Sequence, residues 1–308
     1  MNYFDLHCDT LFEIYHGRGS LNDNQTHVSL TKLDGFEQYA QIFALFCGDV
    51  PLGREEAQRR LPAMLKTAEM QFAECAGRVS LCRSKAEYKA ALSQGKVAAF
   101  LSVEGAELLQ TDELLRLAYD GGVRFVTLTW NHPNCFGSGA PYPTAGLTAE
   151  GKIFLRKLEQ YGMICDVSHL SESGFFDVCD HSCRPFLASH SNSAAVWPHR
   201  RNLTDAQFLE IRRRGGLVGI NLYAPFLGAE PVTAEDIFRH VEHFLALDGA
   251  DVLAFGCDFD GCDAFPAEIT DLSDMPALYE TMLQKNYPEN LVRKLFFYNA
   301  DAFINRMF

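Results

Sequence analysis

The chain has 308 residues, of which 47% are hydrophobic and 22% charged, the balance of an ordinary folded protein rather than a disordered or fibrous one. Its formal charge of −13 and pI near 5.2 argue against a phosphate-tracking surface for nucleic acid and against an anionic membrane partner. No stretch is long and apolar enough to span a bilayer, and the length allows one large α/β barrel or two ordinary domains.

The amino terminus, Met1-Asn2-Tyr3-Phe4-Asp5-Leu6-His7-Cys8-Asp9, is a strand-like run that ends in a His-x-Asp pair. Side chains alternate along a strand, so His7 and Asp9 are expected on one face and Cys8 on the other. An imidazole and a carboxylate suit a borderline divalent cation such as zinc. Because His7 arrives before a secretory leader could fit, a cytoplasmic protein is expected. Its ten cysteines then read mostly as reduced, small hydrophobic residues. Cys179-Asp180-His181-Ser182-Cys183 is the one cluster with the look of a thiolate site, and no second pair completes it.

Short apolar runs alternate with longer stretches of helical period along the rest of the chain. The strand runs are Tyr3–His7, Gln41–Phe46, Val97–Ser102, Val123–Thr129, Met163–Val167, Phe186–Ser189, Leu217–Leu222 and Val252–Gly256. Helices are expected at Arg54–Glu74, Ala106–Tyr119, Ala149–Gln160, Ser171–Val178, Asp205–Arg214, Ala234–Leu247 and Met275–Lys285. This order predicts a single closed (β/α)8 TIM barrel over residues 1–308, of the metal-dependent hydrolase type. No linker divides it, and Glu289–Phe308 is expected as a terminal helix packed on its outside. The Gly/Pro-rich stretch Asn131–Gly146 is the longest connection without helical period, and its place after the fourth run puts it on the active face.

Ligand-type residues recur at the same ends of these runs. His7 and Asp9 close the first, Glu104 follows the third, His169 the fifth, His190 the sixth and Asp258 the eighth. The carboxyl ends of barrel strands are where barrel enzymes carry their chemistry. His7, Asp9, Glu104, His169 and His190 are about the number needed for two metals sharing one carboxylate with positions left for water, and Glu104 is the natural bridge. No run ends in lysine, so a bridge made by a carboxylated lysine is not expected.

The motifs Asp5-Leu6-His7-Cys8-Asp9, Ser102-Val103-Glu104-Gly105, Gly122 to Thr129, Gly162 to His169, Ser189-His190-Ser191-Asn192, Arg200-Arg201-Asn202 and Gly256 to Gly261 resemble, in order and spacing, those of the membrane (renal) dipeptidases, zinc-dependent barrel enzymes of the amidohydrolase type. The resemblance implies two zinc ions per chain, one on His7 and Asp9, the other on His169 and His190, with Glu104 bridging. It also implies Asp258 as the catalytic carboxylate, Arg201 as the holder of the substrate's terminal carboxylate, a tolerance for L,D-dipeptides, and a homodimer. The residues agree with these roles. A hydroxide shared by two zinc ions is the expected nucleophile near neutral pH, and Asp258 can take its proton and return it to the leaving amine. Asp260 is a less favoured candidate for that task. Arg201 offers a planar donor pair for a carboxylate, whereas Arg200 reads as a surface charge.

One position departs from the family pattern. Renal-type relatives carry a histidine directly after Thr-Leu-Thr, where it polarises the scissile carbonyl; this chain has Trp130, with His132 two residues later. Trp130 and His132 are therefore candidate substrate-binding residues, and His132 a candidate for the oxyanion position or for a role in structuring its loop alone. The residues leave other functions open: the same metals acting on another amide, a lactone or an ester including a phosphoester, or, disfavoured by the intact ligand set, a noncatalytic barrel.

Overall fold

The computed structural model describes all residues from Met1 to Phe308. Its strands are β1 (Asn2–Cys8), β2 (Gln38–Phe46), β3 (Val79–Leu81), β4 (Val97–Glu104), β5 (Val123–Thr127), β6 (Ile164–Asp166), β7 (Leu187–Ala188), β8 (Leu217–Ile220) and β9 (Leu253–Phe255). Every ladder is parallel, and a β2–β4 pairing closes the sheet on itself. The closed ring has eight strands, because β3 pairs only with the first residues of β4, Val79 with Val97 through Leu81 with Ala99. β5 takes over that edge from Leu101 onward. The eight runs expected from the sequence are the eight strands of the ring. β3 is an insertion of three residues, too short to show a period.

The helices are α1 (Thr10–Tyr15), α2 (Arg54–Glu74), α3 (Lys85–Ser93), α4 (Asp112–Asp120), α5 (Ala149–Tyr161), α6 (Glu172–His181), α7 (Asp205–Arg213), α8 (Ala224–Leu227), α9 (Ala234–Ala246), α10 (Met275–Gln284), α11 (Glu289–Arg293) and α12 (Asn299–Met307). Ser84, Thr111, Thr148, Ser171 and Thr204 each start a helix by accepting a backbone N–H in the first turn, satisfying a donor that has no partner inside the helix. Thr111 also corrects an expectation. The helix read over Ala106–Tyr119 is a 3-10 turn (Ala106–Leu109) followed by α4, because the Thr111 side chain caps a new start.

Inside the ring, Phe4, Ala40, Ala98, Phe100, Phe125 and Ala254 belong to one cluster, small beside large. Phe297, Ala300, Phe303 and Ile304 of the closing segment belong to the same cluster. Glu289–Phe308 thus lies outside the strands but across the amino-terminal mouth of the barrel rather than along its wall. It is broken into α11, a π turn and α12. α3 shares this plug, with Tyr88 Oη donating to Asp301 Oδ1 at 3.0 Å. With that end filled, the opposite mouth is left for chemistry.

Candidate metal centre

β1 delivers its histidine by a local irregularity. Asp5 pairs with Gln41 and Cys8 with Phe43, so three residues of β1 run against two of β2, a bulge. Leu6 belongs to the interior cluster and yet its neighbour His7 also faces the mouth, which simple alternation does not allow. The buried Asp5 carboxylate braces the bulge by accepting from His7 N at 3.1 Å and Cys257 N at 3.0 Å. Asp9 lies past the strand at the start of α1, and His7 Nε2 stands 3.2 Å from its Oδ2.

Glu104 is the last residue of β4, and its two oxygens face different partners. Oε2 is 3.5 Å from His7 Nε2, and Oε1 is 2.9 Å from His169 Nε2 and 3.7 Å from His190 Nε2. His7, Asp9 and Glu104 converge within 4.8 Å, and so do Glu104, His169 and His190. His169 holds a left-handed backbone at φ 65°, a conformation costing on the order of 1–2 kcal/mol for a residue with a Cβ. Its carbonyl is gripped by Ala140 N at 2.7 Å.

The outer nitrogens of the two histidines decide what the inner ones offer. Asn131 Oδ1 lies 3.0 Å from His169 Nδ1 and can only accept. Ser189 Oγ donates to Asp166 Oδ2 at 2.5 Å and therefore accepts from His190 Nδ1 at 2.7 Å. Both Nε2 atoms are left as bare lone pairs, 2.8 Å apart. Two facing lone pairs repel unless a cation lies against them, and this outer-shell arrangement is the one that orients metal-binding histidines. Asp9 Oδ1 is buried without a partner. A Cβ on Gly261 would stand 2.3 Å from Asp9 Oδ2 and 2.5 Å from Asp258 Oδ1, so only glycine lets these carboxylates approach. This donor set of imidazole and carboxylate fits a pair of zinc-type cations.

Ionisation in the cluster shows the same need. Burial, then the charge of Glu104, pushes Asp9 up to about 7. Burial pulls His7 down, yet Glu104 and Asp9 outweigh it and raise the imidazole well above its usual value. Burial, helped by His7 and Arg201, drives His190 well below the usual range. Against burial, His7 and His169 hold Glu104 well below the usual carboxylate range, so the cluster keeps a negative charge that a divalent cation would balance.

Asp258 ends the ring of ligand-type residues, again with a left-handed backbone. Its Oδ1 is 3.7 Å from His7 Nε2 and its Oδ2 accepts from Asn221 Nδ2 at 3.0 Å. Asp260, the less favoured candidate, is occupied elsewhere: it accepts from Thr10 Oγ1 at 2.6 Å and from His27 N at 2.5 Å. On one side of the centre a cavity of about 440 Å³ is lined by His169, Arg200 and Arg201. Arg201 is buried and its Nε has no partner, whereas Arg200 is exposed. Burial lowers the Arg201 pKa to about 10, so it is still a cation at neutral pH and lacks a carboxylate.

Similarity to known proteins agrees with this geometry. The profile of the membrane dipeptidase family, peptidase family M19, matches residues 1–301. The chain belongs to this family. It is similar to dipeptidase AC, a metallopeptidase of family M19, with a TM-score of 0.92 and 31% identity, covering 100% of this chain and 98% of that one. A metallopeptidase from Rhodobacter sphaeroides, crystallised with a phosphinate mimic of the dipeptide L-Ala-D-Ala, superposes with a TM-score of 0.91 at 29% identity, over 100% of this chain and 99% of that one. A protein encoded in the pqqA 5′ region of Klebsiella pneumoniae is 35% identical over 243 residues, 74% of this chain and 89% of that one. The chain is thus an enzyme of the metallo-dipeptidase class.

Within this M19 dipeptidase the departure at Trp130 takes a definite form. Trp130 lines a cavity of about 200 Å³ over the centre, together with Glu104, His169 and Asp258. His132 does not line it. Its Nε2 is 2.6 Å from Glu107 Oε1, and Asn134 Nδ2 donates to the other oxygen of Glu107 at 2.7 Å. His132 is thus bonded to Glu107 and stands outside the cavity that Trp130 lines. Asn134 also accepts from Phe136 N and Gly137 N, so the Gly/Pro-rich stretch is pinned beside the site. All ten cysteines are free, and Cys179 and Cys183 join no metal-capable group. Asn131, Asp166 and Asn221 support the centre through their bonds to His169, Ser189 and Asp258, and no motif or period in the sequence assigns them that role. Their one signal is that each is a polar residue just beyond or at a strand's carboxyl end.

Proposed function

We propose that this family member is a zinc-dependent dipeptidase that hydrolyses small dipeptides, L,D-dipeptides included. His7 and Asp9 would hold one zinc and His169 and His190 the other, with Glu104 shared between the two groups. The observation that carries the reading is the division of Glu104, one oxygen toward His7 and the other toward two bare imidazole nitrogens. When bound, the zinc pair supplies Lewis acidity and brings the ionisation of water near neutral pH. Asp258 accepts the proton from water and passes it to the departing amine, held in place by Asn221. Arg201 pairs with the free carboxylate of the substrate, the group that marks a dipeptide from an internal peptide bond. The tolerance for a D-residue draws support from the L-Ala-D-Ala mimic bound by the Rhodobacter relative. A cytoplasmic, homodimeric enzyme completes the proposal.

The test is amino-acid release from a panel of L,L- and L,D-dipeptides by zinc-loaded protein, with zinc counted by mass spectrometry and C-amidated dipeptides as controls. Release from free but not amidated dipeptides at two zinc ions per chain is the expected result. Equal release from amidated substrates removes the role of Arg201, and no release at all moves the enzyme to another amide or ester.

A further inference from the structure

The mouth of the barrel is electrically lopsided in a way the metal centre does not explain. The two cavities meet at His169. The larger one carries Arg200 and Arg201, and the smaller one, although lined by several carboxylates, contains no lysine or arginine. Most of those carboxylates are already committed. Asp9 and Glu104 belong to the centre, Asp258 is held by Asn221, Asp260 by Thr10 and His27, and Glu13 is paired with Arg18 at 2.6 Å. Asp49, just beyond β2, is exposed and takes part in no ion pair. Beside it stands an aromatic wall, with Phe46 packed on Phe12 at 5.1 Å and on Trp130 at 5.3 Å between ring centroids.

We infer that Asp49 binds the α-ammonium of the substrate's amino-terminal residue, while Phe12, Phe46 and Trp130 receive that residue's apolar side chain. This rests on the dipeptidase reading and adds to it a preferred substrate class, unblocked dipeptides with an apolar first residue. A carboxylate is the natural partner of an ammonium, and aromatic faces stabilise a cation held near them. A zwitterion then lies along the groove in one sense, ammonium toward Asp49 and carboxylate toward Arg201. Trp130 makes one wall of this subsite, where the renal-type pattern has a histidine.

The experiment compares L-leucyl-L-alanine with its des-amino analogue, 4-methylpentanoyl-L-alanine, on zinc-loaded wild type and Asp49→Asn. In the wild type the free amine is expected to raise kcat/KM about 10- to 100-fold, the value of one charge-assisted hydrogen bond. Asp49→Asn should erase that difference through KM, leaving zinc content and turnover of the des-amino analogue as they were. Trp130→Ala should lower kcat/KM for leucyl-alanine relative to glycyl-alanine. If Asp49→Asn slows both substrates alike, or neither, the ammonium role is overturned while the dipeptidase reading stands. If the wild type cleaves neither compound nor any other dipeptide, that reading fails and this one falls with it.

Discussion

Gly261 shows how little freedom a single position in this centre has. The Cβ of an alanine there would meet Asp9 Oδ2 and Asp258 Oδ1 below contact distance, so one carboxylate must leave. Gly261→Ala is therefore expected to fold, because it disturbs the mouth and not the core, and to lose at least one zinc together with most activity. Two zinc ions retained at wild-type activity would contradict the placement of Asp9.

The titrating groups give a second expectation at this scale. A carboxyl whose pKa rises on folding favours the folded state while protonated. The contribution of Asp9 therefore fades as pH climbs from its ordinary 3.8 through about 7. His7, raised on folding, stabilises below its ordinary 6.5 and loses that stabilisation as pH rises through its folded value. His169 and His190 are lowered, so they weaken the fold only as pH drops below 6.5. Chelator-treated protein should thus show a Tm that falls from pH 6.5 to 8, and zinc should restore it more at pH 8 than at pH 6.5. Scanning fluorimetry checks this, and a flat or rising Tm in the chelated protein would count against the protonated cluster.

At the scale of elements, α12 matters because it fills the barrel's closed end. Phe303 is buried within the cluster of strand residues that lines the barrel, far in the fold from the chemistry at the other mouth. Phe303→Ala should cost about 3–5 kcal/mol of stability, the usual penalty for an emptied aromatic site, with zinc content unchanged in the folded fraction. Denaturant unfolding measures this, and a cost near zero would mean that the plug does not support the ring. The β1 bulge and the Thr111 cap work by the same logic of local rules modified by neighbours. The bulge is braced by Asp5, which bonds His7 N and Cys257 N together, a link across about 250 positions that no strand pattern shows. Thr111, by contrast, carries its capping signal in its own side chain, and the continuous apolar period around it hid the break.

At the scale of the whole molecule, the alternation of short apolar runs and helical stretches was enough to read a closed barrel. The carboxyl ends of those runs were enough to gather His7, Asp9, Glu104, His169, His190 and Asp258. Periodicity and position along a strand are local quantities, and a parallel barrel converts them directly into which side chains share a mouth. The roles of Asn131, Ser189, Asp166 and Asn221, the tying of His132 to Glu107, and the lone charge of Asp49 were not readable in this way. Each depends on which partner a polar group meets across strands distant in sequence, and only the closed ring brings those partners within hydrogen-bonding distance.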